Sequence, residues 1–469
     1  MIYTFFIFAT NLITNRIEII CVYITIDVLC SLRYIYISSF IRYLQAAKNL
    51  TAGEVILREE PIAVGPITSS KDPACFACLR LLPKIKKELQ YVCSKCNIAP
   101  LCSTACEVDV EIIHSNKYFT QTSSLNFLFK LPDDDPSVSE LLQLLCGILD
   151  VNCFELRSPG GLDGLLLRGL YMEASLMAHD CRGNTHLTAD DNFQLTVYAS
   201  LPIKEGDEIY FNYTSSLLGT LGRREHLRGG KYFECECPLC SDPYEMGSYM
   251  SSILCPRCRE GYIGMQNPLT KFPYEKGTRW QCNKCKSSIG GRLVRATLNI
   301  TRTLIDDGLE TLMAKLSKSF HRNHFLMLSL KQKLLAAYRK EVATPNPQKK
   351  MMQKMSDVCK EMYDMLEIIE PGISRLKGIF NRVIYLFNLV KSAKNDINRI
   401  LILHLLKKSL TMLLLEPVDT PEGKLAKRAL QELKALNQNI VDVKTINETE
   451  ESGNRDRKKL QKNKSNKNK

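Results

Sequence analysis

The spacing of the cysteines constrains this sequence more than any other feature. Thirteen of the 19 cysteines lie in short clusters, mostly Cys-x-x-Cys pairs, within a chain of 469 residues. Disulfide-bonded secreted domains are usually small, whereas repeated Cys-x-x-Cys pairs in a long chain are typical of thiolate-bound zinc in a reducing compartment. The sequence therefore predicts several structural zinc sites.

The first cluster lies between residues 75 and 114. Its seven candidate ligands are Cys75, Cys78, Cys93, Cys96, Cys102, Cys106 and His114. A structural zinc ion takes four ligands in a tetrahedron, so seven candidates are too many for one ion. We therefore predict two interleaved sites in a compact fold that metal holds together.

Two further clusters follow along the chain. Cys235, Cys237 and Cys240 are one ligand short of a tetrahedral site, so a fourth ligand has to come from elsewhere. The last cluster has two pairs of cysteines separated by 23 residues, and its members are Cys255, Cys258, Cys282 and Cys285. These four thiolates predict a closed, structural zinc ribbon, with Trp280 packed beside it.

Charge and hydropathy restrict the class of protein. The formal net charge is +13, but eight basic residues lie in the stretch 455–469, which is typical of a disordered, solvated tail. We expect at most weak, non-specific attraction to nucleic acid. The apolar segment 1–40 is interrupted by Arg16, Glu18, Asp27 and Arg33, so a membrane-spanning helix is disfavoured.

The pattern of apolar residues predicts the remaining elements. Two extended runs at 42–48 and 55–62 flank a turn at 50–54, which predicts a β-hairpin. An acidic linker at 131–136 precedes an apolar helix at 138–149. From residue 293 to residue 443 the spacing is helical, most clearly at 316–340 and 400–415. Asn323 and His324 are expected to pack inside the first of these helices.

Three segments carry a family resemblance. Residues 175–184, which include Ala178-His179-Asp180-Cys181, resemble the Asn-His-Ser-Cys-x-Pro-Asn signature of the SET and MYND domain (SMYD) family of protein-lysine methyltransferases. Residues 206–213 resemble the second SET signature and end in its tyrosine, and residues 233–237 resemble the post-SET segment. The sequence is most similar to the arthropod SmydA branch of that family.

The resemblance implies an α+β fold. It has a β-rich SET domain with an inserted MYND zinc finger, a post-SET zinc site, a zinc ribbon and a C-terminal helical domain like a tetratricopeptide repeat. The implied boundaries are an atypical N-terminus at 1–40, a SET hairpin at 41–72, the MYND finger at 73–118, a shortened insert at 119–174, the SET core and post-SET at 175–241, the ribbon at 242–292, the helical domain at 293–443 and a basic tail at 444–469.

The resemblance also implies the zinc ligand sets. In the MYND finger it assigns Cys75, Cys78, Cys102 and Cys106 to one zinc, and Cys93, Cys96 and His114 to the other. Tyr118 stands where the family has the last cysteine, so the second set is incomplete. Cys181 would complete the set of Cys235, Cys237 and Cys240. We expect about three firmly held zinc ions and a fourth that is labile.

The implied activity is methyl transfer from S-adenosylmethionine to a lysine of a histone or another protein. Tyr213 takes the position of the catalytic tyrosine and also contacts the cofactor. The other implied cofactor-binding residues are Ala178, His179, Phe233, Arg42 and Leu44. Asn184 would lie in a loop threaded beneath the site.

Departures from the family pattern leave a second hypothesis open. Ala178 stands where the family has a cofactor-contacting asparagine, and Ile41 stands where it has a glycine. The second hypothesis is an inactive scaffold that recruits co-repressor partners, with a proline-rich peptide on the MYND finger. We expect a monomer in nucleus and cytoplasm without a membrane segment. We also expect missing or misread exons near residues 35–45 and 115–125.

Overall fold

The computed structural model describes residues 32–38, 41–66, 75, 77–80, 82, 91–94, 100–107, 144, 146–159, 166–300, 308–344, 348–391 and 399–436. The strands of this part are β1 Leu32–Ser38, β2 Ile41–Ala46, β3 Val55–Glu59, β4 Ala63–Pro66, β5 Cys153–Arg157, β6 Leu166–Leu170, β7 Ala178–His179, β8 Thr185–Ala189, β9 Leu195–Ala199, β10 Tyr210–Phe211, β11 Ile253–Leu254, β12 Tyr262–Met265, β13 Arg279–Cys282 and β14 Ser288–Gly290. The helices are α1 Thr220–Gly230, α2 Pro238–Ser241, α3 Gly291–Ile300, α4 Leu309–Leu316, α5 Phe325–Val342, α6 Lys349–Ile369, α7 Arg375–Lys391, α8 Arg399–Leu413 and α9 at 421–436.

The first half of the described chain is built from small sheets around one apolar core. Two three-stranded antiparallel sheets have the orders β3-β9-β8 and β4-β6-β5, and β7 pairs with β10 in parallel. Alternate residues of β9 point inward, so Leu195, Val197 and Ala199 are buried with Leu44 and Ile209. The period of two is what a sheet with one buried face requires. This part confirms the β-rich fold expected for a SET domain.

The predicted hairpin between 42–48 and 55–62 is wrong in its pairing. The turn itself forms, since Gly53 has φ +86° and the Glu54 N–H donates to the Thr51 carbonyl at 3.0 Å. However, β2 pairs with β1, and β3 pairs with β9. The edge beside the turn is taken by a distant segment, because the Gly53 N–H donates to the Ala199 carbonyl at 2.8 Å and the Ala199 N–H donates to the Glu54 carbonyl at 2.9 Å. Local patterns reveal strands and turns, but they do not reveal the partner strand.

The zinc ribbon is a separate four-stranded antiparallel sheet, β11-β12-β13-β14. Trp280 lies on β13 and is 1% exposed. Its indole N–H donates to the Pro273 carbonyl at 3.0 Å, and its ring stacks on Tyr274. Trp280 therefore packs against the ribbon as expected.

The C-terminal region is helical as predicted, with one boundary corrected. Helices α5 to α8 pack against one another in sequence order, and α8 corresponds to the predicted 400–415. The helix predicted at 316–340 begins only at Phe325, since α4 ends at Leu316. His324 precedes the helix as its N-cap, and its Nδ1 accepts from the Leu326 N–H at 3.3 Å. A buried capping side chain, not apolar spacing, therefore sets this boundary.

The other predicted elements divide between described and undescribed residues. Residues 146–152 are helical, so the end of the helix predicted at 138–149 is observed, whereas the linker at 131–136 lies outside the described residues. The tail at 455–469 and residues 1–31 also lie outside them. Within the described part, no helix combines the length and the apolar character that a membrane crossing needs.

A buried ionic cluster attaches the helices to the SET sheets. The Glu416 carboxylate accepts from Arg375 Nε and lies against His186 Nε2 on β8, both at 2.9 Å. Burial alone would raise the pKa of Glu416, but His186 and Arg375 hold that pKa below its usual value. Nearby, Gly372 has φ +88°, and a Cβ there would lie 2.1 Å from the Ser200 carbonyl oxygen. The two layers are therefore in direct main-chain contact.

Removing the buried acid should loosen this attachment. We expect Glu416→Ala to lower the free energy of opening at β8 and α7 by about 2 kcal/mol, because it leaves the half-buried Arg375 guanidinium and the buried His186 ring without their carboxylate partner. Native-state hydrogen exchange measures the change locally. As the control, Glu422→Ala removes a more exposed carboxylate, which pairs with Arg157, and should cost less than about 1 kcal/mol. Equal effects of the two variants would contradict this role of Glu416.

Candidate active site and zinc centres

Three sets of four cysteines converge in space. Within each set all four sulfur atoms lie within 4.8 Å of one another. The sets are Cys75, Cys78, Cys102 and Cys106; Cys181, Cys235, Cys237 and Cys240; and Cys255, Cys258, Cys282 and Cys285. All three match the sets expected from the sequence.

Their geometry suits zinc. Zn–S bonds of about 2.3 Å in a tetrahedron place the sulfur atoms about 3.8 Å apart. The observed Sγ–Sγ distances include 3.6 Å for Cys78 and Cys102 and 3.8 Å for Cys181 and Cys235. In the ribbon, Cys258 and Cys282 are also 3.8 Å apart. Four thiolates per site leave no open position, so these sites are structural.

The second site of the MYND finger is only partly described. Cys93 is fully buried. Cys96, His114 and Tyr118 lie outside the described residues. The incomplete fourth zinc site therefore stays a prediction.

The post-SET site joins two distant segments of chain. Cys181 and Cys235 are 54 positions apart, and Cys181 is 1% exposed. Four thiolates around one divalent ion carry a net negative charge, which needs compensation in a buried place. Arg223 supplies it: this side chain is 1% exposed, and its Nη2 lies 3.8 Å from the Cys240 sulfur. The Glu245 carboxylate lies 3.6 Å from the same guanidinium nitrogen.

The two signature segments interlock through Asn184. Its side-chain N–H₂ donates to the Glu208 carbonyl at 2.8 Å, and its Oδ1 accepts from the Tyr210 N–H at 2.7 Å. The parallel pair β7–β10 continues this contact, with Ala178 opposite Tyr210 and His179 opposite Phe211. Asn184 thus fixes the strand that leads to Tyr213 against the segment that carries Ala178 and His179.

His179 connects the zinc site to Tyr213. Its Nδ1 accepts from the Tyr213 N–H at 3.1 Å, and its Nε2 lies 3.3 Å from the Cys181 sulfur. Because Nδ1 accepts, the neutral ring carries its proton on Nε2 and donates it to the thiolate. Burial lowers the pKa of His179 to about 4, so the ring is neutral at physiological pH. The His179 ring therefore contacts both a zinc ligand, Cys181, and the candidate catalytic residue, Tyr213.

Aromatic rings surround Tyr213. Its ring centroid lies 5.0 Å from that of His179, 6.0 Å from that of Phe211 and 6.5 Å from that of Phe233. The Tyr213 hydroxyl donates to the Met177 carbonyl. Burial raises the pKa of Tyr213 to about 12, so the side chain remains a phenol at neutral pH.

The remaining candidate residues lie around the same strands. Ala178 is half-buried and presents only a methyl group. Leu44 is fully buried in the core, and its carbonyl accepts from the Ile209 N–H at 2.9 Å, so its role in cofactor binding stays a prediction. Arg42 lies on β2, and its side chain is outside the described part of the chain.

Sequence reasoning missed two groups at the site. One is the Met177 carbonyl, which no residue pattern identifies because it belongs to the main chain. The other is Lys231, whose Nζ lies 5.7 Å from the Tyr213 ring centroid. Its position two residues before Phe233 was the available signal, but a single lysine carries no pattern.

The post-SET zinc site should be indispensable to this arrangement. We expect Cys181→Ser to reduce the bound zinc by about one ion per chain, because three thiolates hold zinc far more weakly than four. Metal analysis by mass spectrometry of the purified protein measures the content. Cys146→Ser, at an exposed cysteine outside the three sets, should leave it unchanged. Full zinc content in Cys181→Ser would show that this cysteine is not a ligand.

Comparison with known proteins agrees with this geometry. The SET domain family model matches residues 42–214. The chain is 25% identical to isoform A of the SET domain-containing protein SmydA-8 of Drosophila melanogaster over 291 residues, which cover 52% of this chain and 62% of that protein. It is 24% identical to the human histone-lysine N-methyltransferase SMYD3 over 255 residues, which cover 42% of this chain and 58% of that protein.

A similar match links the chain to a plant protein, the histone-lysine N-methyltransferase ASHR2 of Arabidopsis thaliana, at 24% identity over 277 residues. The matches to SmydA-8 and SMYD3 span about three fifths of the length of those relatives. The SET domain match at 42–214 includes His179 and Tyr213. These matches support the resemblance of the chain to the SET and MYND domain family and to the SmydA branch within it.

Proposed function

We propose that the chain is an S-adenosylmethionine-dependent protein-lysine N-methyltransferase that acts on a histone or another protein. The SET domain and the relatives named as histone-lysine methyltransferases support a methyltransferase kind of function. The observation that carries the proposal is the convergence of Tyr213, His179 and Phe233 beside the post-SET zinc set.

The residues present fit the cofactor in part. S-adenosylmethionine, when bound, supplies a methyl group on a cationic sulfur that a neutral amine can displace in line. Phe233 and His179 are both half-buried, with ring centroids 5.6 Å apart, so each retains surface on which an adenine could pack. Because Phe233 lies two residues before Cys235, zinc binding holds it in place.

Tyr213 would orient the acceptor amine and would not deprotonate it. Its pKa of about 12 is too high for a general base at neutral pH. Its hydroxyl donates a hydrogen bond to the Met177 carbonyl, so the positions of the hydroxyl oxygen and the carbonyl oxygen are both fixed. The lysine amine has to lose its proton before transfer, and a half-buried aromatic site favours the neutral amine through desolvation. Alignment then contributes most of the rate.

Ala178 weakens the cofactor side of this site. A methyl group replaces the amide that the family resemblance places there. Loss of a hydrogen bond to a charged ligand costs about 1.5–3 kcal/mol, which corresponds to roughly ten- to hundredfold in affinity. We therefore expect weak binding of S-adenosylmethionine and slow transfer.

Titration calorimetry with S-adenosylmethionine tests the proposal. We expect Ala178→Asn to lower the Kd at least about tenfold, because the amide restores a hydrogen-bond partner at the edge of β7. Tyr213→Phe should keep cofactor binding within a few-fold and reduce methyl transfer to a histone mixture by about a hundredfold or more. Absence of binding in the wild type and in Ala178→Asn at millimolar cofactor would rule out the proposed activity.

That negative result would favour a non-catalytic scaffold. The observation in favour of this second candidate is the same Ala178, since a scaffold has no need of a cofactor amide. In that role the MYND finger would bind a proline-rich peptide and recruit co-repressors. For either function we propose a monomer in nucleus and cytoplasm.

A further inference from the structure

Lys231 brings a cationic side chain to the candidate catalytic tyrosine. It directly follows α1, where its N–H donates to the Leu227 carbonyl at 2.8 Å. Its Nζ donates to the carbonyls of Val151 at 2.6 Å and Asp150 at 3.2 Å. The same ammonium lies over the Tyr213 ring, 5.7 Å from its centroid, within the range of a cation–π interaction.

The acceptors of Lys231 suit a cation. Asp150 and Val151 belong to the last turn of the helical stretch 146–152, where the carbonyl groups have no helical partner and the dipole is negative. Among the surrounding groups, Asp150 also pairs with Arg168 at 2.8 Å, and Cys153 is half-buried nearby. Burial lowers the pKa of Lys231, whereas Cys153 and Asp150 act in the opposite direction.

The position of Lys231 is held from both sides. On one side, the hydrogen bond at the end of α1 fixes Lys231. On the other side, Tyr232 turns the chain with a left-handed φ of +60°, and Cys235 belongs to the post-SET zinc set. The segment 231–235 therefore presents two side chains to Tyr213. Phe233 packs its ring edge-on at 6.5 Å, and Lys231 places its charge over the ring face.

We propose that Lys231 is a specificity-determining residue that occupies the acceptor side of the site with an internal ammonium group. This inference rests on the proposed methyltransferase function. An incoming lysine carries the same ammonium group and would use the same kind of partners, which are an aromatic face and main-chain carbonyls. Two ammonium groups repel each other in a half-buried place, so the external lysine has to displace Lys231. The chain consequently accepts only substrates whose other contacts offset this competition.

Binding of n-butylammonium, which mimics the end of a lysine side chain, tests the inference without catalysis. The full zinc-loaded chain is titrated by calorimetry against n-butylammonium chloride, with equal sodium chloride as the blank. We expect Lys231→Met to bind at least about tenfold more tightly than the wild type, because Met fills the space without the charge. Lys231→Arg keeps the charge and should behave like the wild type. Lys318→Met, at an exposed lysine after α4, is the matched control.

A second measurement uses the methylation reaction. With S-adenosylmethionine and a peptide that contains one lysine, Lys231→Met should lower KM about tenfold and leave kcat within a few-fold. Methylation of Lys231 itself, seen by peptide mass analysis of the wild type, would also support its place at the acceptor side. Zinc content and melting temperature equal to the wild type confirm that each variant is folded.

The outcomes separate this inference from the proposed function. Equal n-butylammonium binding by the wild type and Lys231→Met would overturn the role of Lys231, even if the chain methylates lysine. Failure of every variant to bind S-adenosylmethionine would instead overturn the methyltransferase proposal. In that case the n-butylammonium titration still decides whether Lys231 occupies a cation site.

Discussion

The site depends on four thiolates that bring two distant parts of the chain together. Cys181 comes from the loop after β7, and the other three cysteines follow α1. Structural zinc contributes about 10–16 kcal/mol at a complete site, far more than the short strands β7 and β10 contribute by pairing. His179 passes this constraint on, since its ring contacts both the Cys181 sulfur and the Tyr213 amide. Phe233 and Lys231 are positioned by the same site, because both precede Cys235 by a few residues.

Buried charge supports this frame on two sides. Arg223 faces the thiolates of the post-SET site and balances their negative charge. Farther away, Glu416 lies between His186 and Arg375 and attaches the helical region to the SET sheets. In both places a charged group is out of water and has a partner of opposite sign, which is the condition under which burial of charge is tolerated. The aromatic residues around Tyr213 thus lie in a part of the fold that buried ion pairs hold in place.

The zinc ligands, which form the frame of the site, and the residues that would face a ligand meet different physical requirements. A zinc site loses its ion when one cysteine is replaced, so all of its ligands have to be present together. Ala178 and Lys231 are different, since in the proposed function each would change the affinity for a ligand without being required for the fold. On that proposal, Ala178 would lack a hydrogen-bond partner for the cofactor, and Lys231 would add a charge where the acceptor lysine binds, since its ammonium lies over the Tyr213 ring. A SET domain can therefore keep its fold while its affinity for ligands is weakened or altered. Tyr213 would serve both the cofactor side and the acceptor side, so its substitution would separate cofactor binding from methyl transfer.

What the sequence by itself determined is the chemistry that depends on residue type at short spacing. Short cysteine spacing predicted several zinc sites, because the two ligands of a pair come from one tight turn, and the family resemblance completed the ligand sets by adding Cys181 and dividing the first cluster. Apolar spacing predicted the helical region after residue 293. Only the tertiary structure decided which strands pair, since β3 accepts β9 instead of its neighbour in the chain. It also decided where α5 begins, because the buried His324 caps it. The position of Lys231 beside Tyr213 was likewise decided only by the tertiary structure. Its surroundings come from a helix end 80 positions away and from Tyr213, and contacts between such distant segments depend on the packing of the whole domain.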